Sequence, residues 1–299
     1  METKYSLALG LTLLFSCNGN DDKSDAFGNF ETEETIISSE TTGKLIHFPL
    51  ELGDQVLAGD LLAVVDTNQL SLQIKQLEAE KQAVATKRVN IGSQADVLKE
   101  QIANLKITQD RIARMFADKA ATEQQLDDVN GQMRVLEKQL KSTDTQYVSV
   151  NSELDVIDAR LDLAMDNLKK CFIRTATPGM VLEKYVEPGE VVSPIKAIVK
   201  LGDLSELDLR VYVSGAQLSE IKLRQEVEVL VDQDEDNNRS LKGEISWISS
   251  KAEFTPKIIQ TKEERVKLVY AVKVKVKNDG SLKIGMPGEV KFKEVVSNK

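Results

Sequence analysis

The chain is poor in the residues from which catalytic and metal sites are built. Its only histidine is His47, its cysteines are Cys17 and Cys171, and aromatics make up 5% of its 299 residues. A zinc site needs several His or Cys ligands converging, and a general base needs a titratable group near neutrality. His47, between Ile46 and Phe48, therefore reads as a structural residue. Gly-x-Ser-x-Gly, a Walker A loop and metal-ligand spacings are missing as well. Neither an enzyme activity nor a cofactor is expected. Positive charge is also short: 39 Lys and Arg against 48 Asp and Glu leave a net charge of −9. Nucleic-acid binding, which rests on neutralising phosphates, is disfavoured. The acidic run Asp232-Gln233-Asp234-Glu235-Asp236-Asn237 lacks the glycine turn and distal glutamate of an EF-hand and reads as an exposed hairpin turn.

Long hydrophobic runs are absent too. The one apolar stretch, Leu7 through Phe15, is too short to span a bilayer as a helix. Lys4 before it and Ser16-Cys17 after it give it the build of a signal peptide, residues 1–16. Leu14-Phe15-Ser16-Cys17 resembles a bacterial lipobox, in which Cys17 is lipidated and becomes the first mature residue. Residues 17–34, rich in Asp, Glu, Asn, Gly and Ser, read as a flexible tether. Lipidation leaves Cys171 as the only thiol, so no internal disulfide can form, and Cys171 reads as a buried, inert small hydrophobe.

Proline is scarce, and none of the six falls between residues 50 and 177. What fills that span is a seven-residue apolar repeat. One ladder runs Leu70, Leu77, Val84, Ile91, Leu98, Leu105, Ile112; a second runs Leu126, Met133, Leu140, Tyr147, Leu154, Leu161, Leu168. Such a repeat marks a helix that buries one seam against another in a left-handed supercoil. The ladders mirror about residue 119, so folding there brings Leu70 to Leu168 and Ile112 to Leu126: an antiparallel helical hairpin over 68–170 with its tip at 117–122. Secondary rows support it: Ile74, Ala95, Ile102 and Phe116 in the first arm, and Val129, Leu136, Val150, Ile157, Ala164 and Cys171 in the second. Arms of roughly fifty residues reach roughly 70 Å. Thr122, with Gln125 three residues on, predicts the N-cap of the second helix.

On either side of the hairpin lie short apolar runs broken by glycine turns, residues 35–67 and 171–203. Gly43 and Gly53-Asp54 in the first half return as Gly179 and Gly189-Glu190, both 136 residues later; Val56 returns as Val192 and Leu61-Leu62 as Ala197-Ile198. This is an internal quasi-repeat, and each half is too small to bury a core alone. Together the halves predict one small β-sandwich from which the hairpin emerges.

From residue 204 the pattern changes to strict alternation, with Leu207 to Val213, Val227 to Val231, Ile245 to Ile248, Leu268 to Val276, and Val290 and Phe292. Period two with turn signals, including Asn278-Asp279-Gly280, predicts a small β-barrel over 204–299, with one short helix between Ser214 and Leu223.

This order of parts resembles the HlyD-type periplasmic adaptor proteins, or membrane fusion proteins, whose lipoyl-like domain is split by a helical hairpin. The matching residues are Gly43, Gly53-Asp54, Val56, Gly59-Asp60, Leu62 and Asp66, then Arg174-Thr175-Ala176-Thr177-Pro178-Gly179, Val181, Glu187, Gly189-Glu190 and Val192. At 176–179 the proline sits later than in many relatives and the acid is missing. The resemblance implies an α+β multidomain protein: a long antiparallel coiled-coil hairpin in a split lipoyl-like β-sandwich, followed by a β-barrel. No Asp-Lys-Ala or Met-Lys-Met setting for a modifiable lysine occurs, which removes a biotin or lipoate carrier.

The resemblance also implies partners. Tip residues of such adaptors contact an outer-membrane channel, and Arg111, Met115 and Thr122 fall at the matching spacings, with Met and Thr as departures. The stretch Ala252-Glu253-Phe254-Thr255-Pro256-Lys257, with Gln260 to Arg265 and Leu268-Val269-Tyr270, looks like adaptors of ABC-type exporters. Phe254, Thr255, Pro256 and Arg265 are therefore a candidate transporter-contact loop. The few residues after the barrel also favour an ABC-type over an RND-type inner-membrane partner. The implied protein is non-enzymatic, lipid-anchored in the Gram-negative periplasm with the inner membrane favoured, and assembles as a homo-oligomeric ring between transporter and channel. A structural envelope coiled-coil lipoprotein is the alternative, but it leaves the repeated glycines unexplained; an adaptor of an RND-type pump is the other.

Overall fold

The computed structural model describes residues 24–234, 237–254 and 268–292. The chain divides into two compact units, one of residues Thr35–Leu201 and one combining Met1–Glu34 with Gly202–Lys299. The second of these begins with a departure from the expected tether. Ala26–Glu31 forms a strand, β1, paired with two strands of the C-terminal barrel. Its anchors are Ala26 and Phe30, both buried. Asp25 is tied down as well, its carboxylate accepting from the Phe292 N–H at 2.8 Å and its carbonyl from Gln217 Nε2 at 2.7 Å.

The first unit opens with β2 (Glu34–Ser38), β3 (Gly43–His47), β4 (Gln55–Val56) and β5 (Leu61–Val65). Helices α1 (Asn68–Ala117) and α2 (Glu123–Lys170) follow, and then β6 (Phe172–Arg174), β7 (Gly179–Lys184), β8 (Val191–Val192) and β9 (Ala197–Gly202). The strands make two sheets of four, ordered β2-β9-β7-β4 and β6-β5-β3-β8. They share one core containing Leu45, Leu62, Val65, Val181, Ile198 and Leu201.

The quasi-repeat governs the topology. β3, β4 and β5 correspond to β7, β8 and β9, and each half lends its short strand to the other half's sheet. Gln55 pairs with Met180 and Val56 with Gly179; the equivalent contacts pair Val191 with Lys44 and Val192 with Gly43. The exchange extends to the turns, where the Gly53 N–H donates to Val181 O at 2.9 Å and the Gly189 N–H to Leu45 O at 2.7 Å. Neither half can close its sheet without the other.

In the hairpin, Ile74, Leu77, Ile157, Leu161 and Ala164 form one buried cluster with Val84 and Leu168 against it. Ile74 and Ala164, like Leu77 and Leu161, are mirror partners about residue 119, so the seam runs in the expected register. Lys81 and Asp158 pair across it at 2.6 Å, and Gln109 Nε2 donates to Asn130 Oδ1 at 2.8 Å. Two expected seam residues are exposed. Tyr147 is 38% exposed, its ring edge lying over Gly92, because a phenol does not fit a layer opposite Ile91. Phe116 is 40% exposed, because its mirror position is the cap Thr122, where no helix surface faces it. Thr143 instead takes a buried seam place, donating its hydroxyl proton to Gln139 O at 3.1 Å.

In the second unit, β10 (Glu206–Ser214), β11 (Glu226–Asp232), β12 (Asn238–Ile248), β14 (Leu268–Lys277) and β15 (Pro287–Lys291) join β1 in a closed ring ordered β10-β1-β15-β11-β12-β14, with β10 bonded back to β14; β13 (Glu253–Phe254) extends it beside β14. Inward residues such as Phe30, Leu209, Val229, Ile245, Val274 and Val290 fill it. The closure needs Gly28: a Cβ there would lie 1.8 Å from Arg210 O. The expected helix between Ser214 and Leu223 is a single turn, α3 (Gly215–Leu218), capped reciprocally by Ser214 and Gln217.

Candidate functional site

The hairpin tip is built from two helix ends. α1 stops in a Schellman arrangement: the Lys119 N–H donates to Phe116 O at 3.0 Å and the Ala120 N–H to Met115 O at 2.7 Å. The residue that turns the chain there is Lys119, with φ 61, in the left-handed region where glycine is usual. α2 starts at the predicted cap. Thr122 Oγ1 accepts from the Gln125 N–H at 3.2 Å, and Gln125 Oε1 accepts from the Thr122 N–H at 2.8 Å.

These ends present the three sequence-selected tip residues to solvent. Arg111 and Met115 lie one turn apart on one face of α1, both exposed, and Thr122 opens α2 beyond the turn. The Thr122 oxygen is engaged as a cap, which leaves its proton free to donate. Met115 is 42% exposed and Phe116 adds a second uncovered apolar side chain at the tip. Sequence reasoning placed Phe116 in the seam; the signal that could have moved it is the mirror point itself, which leaves residue 116 opposite a cap.

The other candidate positions belong to other elements. Phe254 ends β13 and is 74% exposed, beside Leu268 on β14. Its neighbour Glu253 is fixed by the Arg210 guanidinium at 2.9 Å. Thr255, Pro256 and Arg265 lie outside the described residues, as do Cys17 and residues 1–16, the expected signal peptide. Cys171 is buried at the base of α2, and burial pushes its thiol up, away from the reactive thiolate. His47 is exposed on β3. Among the described residues there is no group of three His, Cys, Asp or Glu side chains that could hold a metal, and no helix long and apolar enough to cross a membrane.

Comparison with known proteins meets this geometry at three levels. Residues 203–299 match the family model described as LcnD-like, C-terminal domain. MacA from Actinobacillus actinomycetemcomitans superimposes with a TM-score of 0.64 at 20% identity, over 89% of this chain and 76% of that one. The chain has the fold of the HlyD-type membrane fusion proteins. A second structure of this fold, the membrane fusion protein Spr0693 from Streptococcus pneumoniae R6, gives a TM-score of 0.52 at 18% identity, over 90% of this chain and 97% of that one. In sequence, the chain is 26% identical over 293 residues to a UPF0194 membrane protein of Yersinia enterocolitica, covering 89% of this chain and 88% of that protein. A UPF0194 membrane protein of Acidithiobacillus ferridurans is 24% identical over 286 residues. The membrane-fusion fold puts a hairpin between the halves of a lipoyl-like module and a barrel after it, the order found here.

Proposed function

We propose that the chain is the adaptor subunit of an export or efflux system, linking an inner-membrane transporter to an outer-membrane channel. The observation that carries this is the hairpin: helices of 50 and 48 residues leave and re-enter one β module, so that their far end is a capped turn with exposed Arg111, Met115 and Phe116. A rod with an uncovered apolar and cationic end spans a gap and docks; it does not enclose a substrate. Arg111, Met115 and Thr122 would contact the channel. Phe254, with Thr255, Pro256 and Arg265, would contact the transporter, and the resemblance of that stretch favours an ABC-type partner, which would hydrolyse the ATP. Lipidation at Cys17 would hold the protein at the periplasmic face of the inner membrane. Copies would stand side by side in a ring around the transporter.

A photo-crosslinker placed at Met115 in cells should capture an outer-membrane channel protein, and one at Phe254 an inner-membrane transporter. Arg111→Asp should lower both export and the Met115 adduct, while leaving the helix content of the purified protein unchanged. Unchanged export together with an unchanged adduct would remove the tip contacts.

A further inference from the structure

The barrel carries its exposed apolar side chains at one end, and strand register identifies that end. β1 starts at Ala26, facing Val290, and its next residue, Phe27, faces Tyr212 near the close of β10. Ser214, the last residue of β10, pairs with Val269, so β14 starts at the same end. Glu228 pairs with Lys291 and Glu226 with Glu244, so β11 starts there too and β12 runs out there. Leu223 just before β11, Trp247 late in β12, Phe254 on β13 and Leu268 opening β14 are all exposed, as is Phe27. The opposite end is polar. Glu206 faces Lys277 and Asp232 faces Asn238 there, and among its described residues Ile284 is the one large apolar side chain left exposed.

Leu223 is held out by a turn that is tied on several sides. The Gln225 N–H donates to Lys222 O at 3.2 Å, the Lys222 N–H to Gln225 Oε1 at 3.0 Å, and the N–H of Arg224, whose φ is 66, to Ile245 O at 2.9 Å. Gln225 Nε2 in turn donates to Phe292 O at 2.8 Å. Phe292 is also the residue whose N–H holds the Asp25 carboxylate. The N-terminal segment therefore joins the barrel at the residue that pins the Leu223 turn. Lys222 and Arg224 flank Leu223, Lys251 lies between β12 and β13, and all three cations are exposed with no ion-pair partner among the described residues. Asp25 follows Cys17 by eight residues in the sequence, a reach of at most about 28 Å.

We propose that this end of the barrel is a lipid-binding surface in its own right: Leu223, Trp247 and Leu268 enter the boundary between headgroups and acyl chains of a bilayer, and Lys222, Arg224 and Lys251 lie among the lipid phosphates. This rests on the proposed function in one respect, the acylation of Cys17. The side chains suit the boundary. Tryptophan has an apolar body and an N–H that seeks a polar partner, and Lys and Arg lay their stems on apolar surface while their heads stay wet. Three apolar side chains alone would partition weakly, but an acyl anchor within reach of the barrel keeps them at high local concentration beside the bilayer, so a weak contact is enough. The anchor by itself leaves the barrel free to swing on its tether. The second contact fixes which end faces the lipid. Phe254, paired with Leu268 across β13 and β14, remains the transporter contact, so the lipid surface ends where the protein contact begins.

Trp247 is the only tryptophan of the chain and so reports on its own surroundings. The test reconstitutes the purified full chain, with the N-terminus it carries in cells, into vesicles of phosphatidylethanolamine and phosphatidylglycerol, without transporter or channel. Trp247 emission should shift to the blue and be quenched by lipids brominated along their acyl chains. Leu223→Glu and Leu268→Glu should each lower that quenching roughly three- to tenfold, at an unchanged urea midpoint. Ile284→Glu, at the opposite end, should leave it as it is. Emission indifferent to the brominated lipid would overturn the proposal, and is the outcome expected if the transporter alone covers this end. Quenching that survives both glutamate variants would overturn it equally. Should the purified chain prove to lack acyl groups at Cys17, the same quenching is read on chain mixed with excess vesicles, and its absence there also overturns the proposal. The adaptor reading fails separately, if the lipid quenches Trp247 while the photo-crosslinkers at Met115 and Phe254 capture neither channel nor transporter.

Discussion

At Gly59 the chain turns with φ 91, and at Ile195, the equivalent position of the second half, with φ 74. Gly59 donates its N–H to Thr175 O at 2.8 Å; Ile195 donates to Ser39 O at 3.0 Å. The backbone is the same and the residues could hardly differ more. Glycine enters the left-handed region at no steric cost, whereas a β-branched residue is an outlier there. The neighbouring turns differ in the same sense. Asp54 and Asp60 each clasp their turn, accepting from the Glu51 and Leu57 N–H groups at 2.8 and 2.7 Å. At the equivalent positions stand Glu190 and Lys196, which pair with each other at 3.2 Å. The first half encodes its turns locally. The second holds the same shape because strands lent by the first half, and a shared core, impose it.

The comparison breaks most visibly in the core. Leu62 and Ile198 are equivalent and both fully buried. Truncating either to Ala should cost about 2–5 kcal/mol. If the exchange of β4 and β8 couples the halves, each variant will raise amide exchange at Leu45 and at Val181 together. Loss of protection confined to the mutated half would show that the halves are stabilised separately.

Buried hydroxyl turns give a smaller effect and a stricter symmetry. Ser39 Oγ donates to Thr41 O at 2.7 Å and accepts from the Thr41 N–H; Thr175 Oγ1 does the same with Thr177, at 2.6 Å to the carbonyl. Ser39 and Thr175 are each 2% exposed, so removing either hydroxyl takes two hydrogen bonds out of a buried position. Ser39→Ala and Thr175→Val should each lower stability by about 1–3 kcal/mol in urea denaturation. Unequal losses would mean that the repeat is a likeness of outline only.

These turns mark where the sequence stopped being legible. Gly53 and Gly189 stood out because a left-handed φ suits glycine above other residues, and the ladders because seven-residue spacing survives any exchange among Leu, Ile, Val and Met. Ser39 and Thr175 perform one task with two residue types that are common everywhere. The exchange of β4 and β8 is a matter of which edge meets which, and two-residue strands carry no period. β1 was hidden for another reason: Ala26 to Glu31 sits among Asp, Asn and Gly, and its partners β10 and β15 lie far along the chain. At the tip, spacing located Arg111, Met115 and Thr122 and the capping box, yet gave no hint that Lys119 holds a left-handed turn. That conformation is fixed by where two helices end, which no single residue announces.

The smallest effect returns to Ile195, and its sign is the informative part. The side chain is 89% exposed, so little burial offsets its backbone strain. Ile195→Gly removes a left-handed β-branched residue and should stabilise the protein by about 1 kcal/mol, the relief being partly cancelled by the entropy glycine loses on folding. Gly59→Ile, the converse, should destabilise it by about 1–2 kcal/mol, the cost of a left-handed φ for a residue with a Cβ, since the space around that Cβ is open. Both shifts are measurable as urea midpoints at unchanged slope. Should Ile195→Gly prove stabilising while export falls, the exposed isoleucine is retained for a contact made in the assembly, and the asymmetry between the two halves is functional. Should stability rise with export unchanged, the asymmetry is tolerated strain, borne by a turn whose geometry the first half already dictates.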